Sequence, residues 1–204
     1  TYTLSHIETA DGFVPGSSTF SKDAAGDWLI NTVATDVCFL EGTLIRTTRG
    51  DVAVEDLSVG DELIVLAASE TSRPVVWVGF QNAVVRPELD DAEAGYPVRI
   101  MKDAIAENVP SADLLVTAEH GLYLVDGFVP VRMLVNGSSI FYDRSVTSYR
   151  YFHVETERHS VILAENLPSE SYLDTGNRRS FTGGSVVSLT SRNLTWADAA
   201  APLL

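Results

Sequence analysis

Apolar and polar residues alternate with a period of two in short stretches through most of this chain. They run Thr43 to Thr47, Val52 to Val54, Glu62 to Leu66, Val75 to Val84, Leu114 to Thr117, Leu122 to Val125, Phe128 to Val131, Ser138 to Tyr142, Arg150 to Val154 and Ser160 to Leu163. Successive side chains of an extended chain point to opposite faces, so each stretch predicts a strand with one buried face. Many short strands rich in β-branched residues predict an all-β fold. Turn residues fall between them at Arg49-Gly50-Asp51, Val59-Gly60-Asp61, Val125-Asp126-Gly127 and Val135-Asn136-Gly137. Glycine, Asn and Asp tolerate the positive φ of tight turns, so the flanking segments are expected to pair antiparallel, as a meander or closed β-fold.

Elsewhere the pattern is weaker. Val85 to Pro97 carries four acids and two prolines without a sustained period and reads as a surface loop, while Met101 to Val109 suits a short helix. The first 37 residues hold turn residues around one or two strands, of which Asp27 to Val33 is the best placed to pair. Beyond Tyr172 the pattern is broken by Gly183-Gly184, a short apolar helix is expected within Leu194 to Leu204, and this tail is expected to pack loosely. The expected organisation is a leader over residues 1–37, one domain over 38–171 and a tail over 172–204.

Composition narrows the function. With 204 residues, 45% of them apolar, the chain has enough hydrophobic material for one ordinary domain core. A net charge of −14 argues against nucleic acid or an anionic membrane as partner, because both are recognised through basic patches. No apolar run approaches the roughly 20 residues that span a bilayer, and Thr1 to Gly12 lacks the basic and apolar regions of a secretory signal. The single cysteine, Cys38, excludes an internal disulfide framework.

Cys38 is also the centre of the candidate chemistry. A buried free cysteine is most often a small hydrophobe. Here it stands at the start of a strand pattern, where the peptide bond before it, Val37-Cys38, is open to strain or exposure. Downstream, Thr117 and His120 are three residues apart across a turn, a spacing at which a hydroxyl and an imidazole can converge. His153 and His159 flank what reads as a hairpin, and only His6 lies outside this half of the chain. Spacing of this kind does not form a zinc ligand set from His120, His153 and His159, so no metal or cofactor is expected.

These features resemble the Hint domain, the module shared by hedgehog autoprocessing domains and inteins, and most resemble its bacterial intein-like members. The resemblance covers about Cys38 to Ser171. It rests on the opening cysteine, the run from Gly42-Thr43 through Val54-Glu55-Asp56-Leu57 to Gly60-Asp61, Thr117 and His120, and the block Tyr151 to Leu167. It implies a flattened all-β horseshoe of two pseudo-symmetric halves with few short helices. It also implies that Cys38 attacks the carbonyl of Val37, giving an N-to-S acyl shift and a thioester. His120 would then protonate the departing amine and Thr117 would hold the scissile amide or the oxyanion. His153 matches the family's acid/base position within about one residue, and His159 matches a histidine that follows it.

One departure decides among the family's outcomes. Splicing inteins end in His-Asn before a nucleophile, and no His-Asn pair occurs here; Asn166 precedes Leu167. The expectation is therefore cleavage before Cys38 acting in cis on the chain's own N-terminal flanking segment, with water or a small nucleophile as acyl acceptor and a monomeric state. Two other readings stay open. One is an inactive Hint scaffold within a larger secreted or surface protein, in which Cys38 would lie far from Thr117 and His120. The other is a cysteine peptidase acting on other chains, although such enzymes place the nucleophile at a helix N-terminus and Cys38 opens a strand pattern.

Overall fold

This computed structural model describes residues 37–67, 69, 71–173, 181 and 199–202, and the backbone of 18–22 and 28–32. The chain divides into two compact units, Thr1–Thr35 and Asp36–Leu204. In the first, strand β1 (Ser18–Lys22) pairs antiparallel with β2 (Trp28–Thr32), so the expected Asp27 to Val33 strand finds its partner just upstream.

The second unit is all-β, built on a sheet of 13 strands. In chain order these are β3 (Phe39–Leu40), β4 (Leu44–Thr47), β5 (Gly50–Ala53), β6 (Glu62–Ile64), β7 (Ser72–Val84), β8 (Val98–Ile100), β9 (Leu114–Val116), β10 (Gly121–Leu124), β11 (Gly127–Pro130), β12 (Ile140–Tyr142), β13 (Ser148–Thr156), β14 (Val161–Ala164) and β15 (Leu167–Glu170). Their order in space is β11, β10, β15, β14, β4, β6, β7, β13, β3, β9, β8, β12, with β5 beside β4. Neighbouring strands run antiparallel. Alternation then does what it predicts: Val98 and Ile100 of β8, Leu114 and Val116 of β9, and Ile45 of β4 face one core with Phe39, Leu63, Leu122, Phe152, Ile162 and Leu167. Burying each such side chain is worth about 1.5–3 kcal/mol.

Three strands set the geometry that matters for chemistry. The longest, β7 and β13, form a ribbon in which Phe152 lies opposite Phe80 and His153 opposite Gly79. The short β3 is inserted between β13 and β9, with Phe39 opposite Phe152 on one side and Val116 on the other.

Several sequence expectations change. Met101 to Val109 is a series of turns with no helix: Asp103 and Asn108 adopt φ of 62° and 60°, and the Asp103 carboxylate accepts from the Asn108 N–H at 2.5 Å. Side chains that bond nearby backbone compete with a helix in this way. Val85 to Pro97, expected as a loop, holds one helical turn, α1 (Asp91–Ala94), ended by Gly95 at φ 82°, and buries Val85, Ala94 and Tyr96 together. Of the four turns, those at Gly50 and at Val125-Asp126 join paired strands, β4 with β5 and β10 with β11. Those at Gly60 and Gly137 each adjoin a 3-10 turn instead (Val54–Asp56 and Val131–Leu134). His153 and His159 do not flank a hairpin, because β13 pairs with β3 and β7 whereas β14 pairs with β15 and β4. The tight turn sequence reading missed is Glu165-Asn166, both at positive φ, which joins β14 to β15.

Of the tail helix expected from Leu194 onward, residues 194–198 and 203–204 lie outside the described residues, and Ala199 to Pro202 is not helical. The described residues are packed. The Phe128 N–H donates to the Pro202 carbonyl at 2.7 Å, the Ala200 N–H donates to His159 Nδ1 at 3.0 Å, and Phe181 rests on an aromatic cluster. No helix among the described residues is long and apolar enough to cross a membrane.

Candidate active site

The placement of Cys38 follows from register. Phe39 lies opposite Phe152 and Leu40 opposite Tyr151, so one step back along the same antiparallel pairing sets Cys38 opposite His153. On the other side Phe39 lies opposite Val116, and one step back sets Cys38 beside Thr117. The sulfur is fully buried, 3.2 Å from His153 Nε2 and 3.5 Å from its Nδ1. The Cys38 N–H donates to Thr117 Oγ1 at 3.0 Å, and the Thr117 N–H donates to the Cys38 carbonyl at 3.1 Å. The two atoms that an acyl shift before Cys38 involves are thus held separately: sulfur by an imidazole on β13, nitrogen by a hydroxyl at the end of β9.

His120 enters by the turn after β9, where its N–H donates to the Thr117 carbonyl at 3.0 Å. Its ring is fully buried, edge-on to Phe39 with centroids 4.3 Å apart, and neither ring nitrogen has a hydrogen-bond partner among the described residues. Burial, and secondarily the nearby His153, holds its pKa down at about 3. An imidazole in such a place is neutral in the resting protein, because a charged ring there is stripped of water without a counter-charge. When it does take a proton it is a strong acid.

His159 takes its contacts elsewhere. Its Nδ1 accepts from the Ala200 N–H, its ring lies 5.2 Å from that of Phe128, and its Nε2 is 3.6 Å from Glu170 Oε2. Glu170 also accepts from the Gly121 N–H at 2.5 Å, which links the start of β10 to the end of β15, whereas His159 Nε2 has no hydrogen-bond partner among the described residues. Among the described residues no group of three or more His, Cys, Asp and Glu side chains is arranged to hold a metal ion.

Sequence reading missed the aromatic surroundings of His153. Trp77, Tyr172 and Phe181 lie 6.4, 4.4 and 4.2 Å from its ring, centroid to centroid. The available signal was Gly79, a glycine inside a strand pattern, which marks a close approach. It lies opposite His153, and a Cβ there would come within 2.2 Å of the Trp77 ring. The missing side chain is the space that the indole fills.

A profile of the Hint domain family matches residues 37–176. Among solved structures, the bacterial intein-like domain from Clostridium thermocellum is similar at 15% identity and TM-score 0.46, over 67% of this chain and 99% of that one. A DnaB intein from Synechocystis is similar at 15% identity and TM-score 0.44, over 67% and 99%. No curated protein matches the chain.

Proposed function

The chain belongs to the Hint domain family, and from that premise we propose that it cleaves its own backbone before Cys38 by an N-to-S acyl shift. The observation that carries the proposal is the division of labour at Cys38, with sulfur 3.2 Å from His153 and the backbone nitrogen bonded to Thr117.

The chemistry runs in balanced steps. A free thiol has a pKa of about 8.5 and is a poor nucleophile near neutrality until a base takes its proton. His153 takes that proton from sulfur. The thiolate attacks the Val37 carbonyl carbon, the C–S bond forms, and the carbonyl electron pair moves to oxygen. Collapse of the tetrahedral intermediate breaks the C–N bond. The nitrogen takes a proton from the His120 ring, and the proton that His153 took from sulfur passes back to His120, so both imidazoles end neutral. Overall, sulfur has lost a proton and nitrogen has gained one. Thr117 holds the nitrogen in place during this exchange, a positioning that is worth most in a dry site. Water or a small nucleophile then attacks the thioester carbonyl, releasing the leader at Val37 and returning Cys38 to its thiol.

His159 has a supporting part in this account, accepting from the Ala200 N–H and packing against Phe128. Splicing is not proposed, since no His-Asn pair is present to supply the asparagine step. The hydrogen bonds joining Cys38 to Thr117 favour a processing domain over a scaffold that has discarded the chemistry. Mass analysis of the chain after incubation with dithiothreitol or hydroxylamine, beside its Cys38→Ala variant, tests the proposal.

A further inference from the structure

The groups that the acyl shift needs are sealed off from the solution that must supply the acceptor. Cys38, Leu40 and Tyr151 form a buried cluster, and Phe181 packs against it from a part of the chain downstream of β15. The Phe181 ring stands edge-on to His153 at 4.2 Å and edge-on to Trp77 at 5.8 Å, with Tyr151 at 6.2 Å and Tyr172 at 6.5 Å. These contacts share one face of the ribbon. Trp77, Gly79 and Gln81 alternate along β7 opposite Glu155, His153 and Tyr151 of β13, while Phe80 and Phe152 face the main core. Gly79 lets the indole lie across the strand beneath Phe181, whose Cβ is 3.0 Å from where a Gly79 Cβ would sit. Edge-to-face aromatic pairs of this sort stabilise the packing beyond area burial.

We propose that Phe181 is the residue that controls access to Cys38: its ring closes the space over the Cys38–His153 pair, so a nucleophile reaches the sulfur or a thioester on it only when that ring is displaced. The inference rests on the autoprocessing reading for its purpose but not for its geometry. A thioester beneath an aromatic cover is protected from water, and the cover favours acceptors that enter an apolar, ring-lined space over small hydrated ones. Resolution of the thioester, not its formation, is the step that Phe181 limits.

The test uses the full chain, whose single cysteine makes labelling unambiguous. Alkylation of the folded protein by iodoacetamide and by a bulky maleimide is followed by intact mass for the native sequence, Phe181→Ala and Phe181→Leu, with thermal melts alongside. Phe181→Ala is expected to label roughly tenfold faster with iodoacetamide, and by a larger factor with the maleimide, because local opening sets the rate. Phe181→Leu should fall between. General loosening would raise both reagents' rates together, so an unchanged ratio of the two, or rates in Phe181→Ala within about twofold of the native protein, overturns the proposal. Should Phe181→Ala not fold, Phe181→Leu carries the same comparison. Faster labelling without any fragment under hydroxylamine leaves the access role standing and removes the autoprocessing reading; hydroxylamine cleavage with equal labelling does the reverse.

Discussion

Cys38 and His153 face each other across the pairing of β3 with β13, the sulfur 3.2 Å from Nε2, though 115 residues separate them in the chain. In the proposed cleavage, His153 is the group that takes the thiol proton. His153→Gln keeps a polar side chain on β13 but cannot act as a base at neutral pH. It is expected to slow thiol-induced cleavage by about a hundredfold or more. Cleavage by His153→Gln at the native rate would remove His153 from the account.

Thr117 is predicted to act through its hydroxyl. Thr117→Val preserves the branched shape and removes the oxygen that accepts from the Cys38 N–H. Cleavage should fall by about tenfold to a hundredfold, while Thr117→Ser retains most of the rate. A valine variant that cleaves as fast as the native chain would mean that the bond only shapes the turn.

His120 makes stability depend on pH in one direction. Folded, it is neutral down to about pH 3; unfolded, it takes a proton below about 6.5. Between those values the unfolded chain binds the extra proton, so acid favours unfolding. The contribution is complete above about pH 6.5, is lost progressively as pH falls, and is gone near about pH 3, a change on the order of several kcal/mol. Urea titrations across that window should show stability rising with pH, with a shallower slope in His120→Gln. Equal slopes would show that the ring is not held neutral by burial.

Gly79 is predicted to be intolerant of even one methyl group. A Cβ there would meet the Trp77 ring at 2.2 and 2.4 Å, and an indole has no flexible end to give way. Gly79→Ala should cost about 1–3 kcal/mol and change the tryptophan fluorescence of the folded protein. A melting temperature equal to that of the native chain would mean that the ring moves freely aside.

How much of this was legible beforehand depends on how local the physics is. Alternation such as Val98, Ile100, Leu114 and Val116 is local, and the all-β class could be read from it. Cys38, Thr117 and His153 stood out by residue type and order. That they meet depends on β3 lying between β9 and β13, contacts across 79 and 115 residues that no short-range pattern encodes. The same limit explains the hairpin wrongly read around His153 and His159, whose strands pair with distant partners instead. In Met101 to Val109 the apolar spacing suited a helix, but Asp103 and the turn at Asn108 supplied competing side-chain and backbone bonds. Phe181 was invisible for a different reason: an aromatic in a weakly patterned tail gives no sign of what it covers.

The most direct measurement is the mass of the purified chain after incubation with hydroxylamine, beside that of Cys38→Ala treated identically. The account predicts a leader ending in a hydroxamate on Val37 and a second fragment beginning at Cys38, with the alanine variant intact. A native chain that stays whole with hydroxylamine, dithiothreitol and cysteine alike, or an alanine variant cut at the same bond, would contradict it.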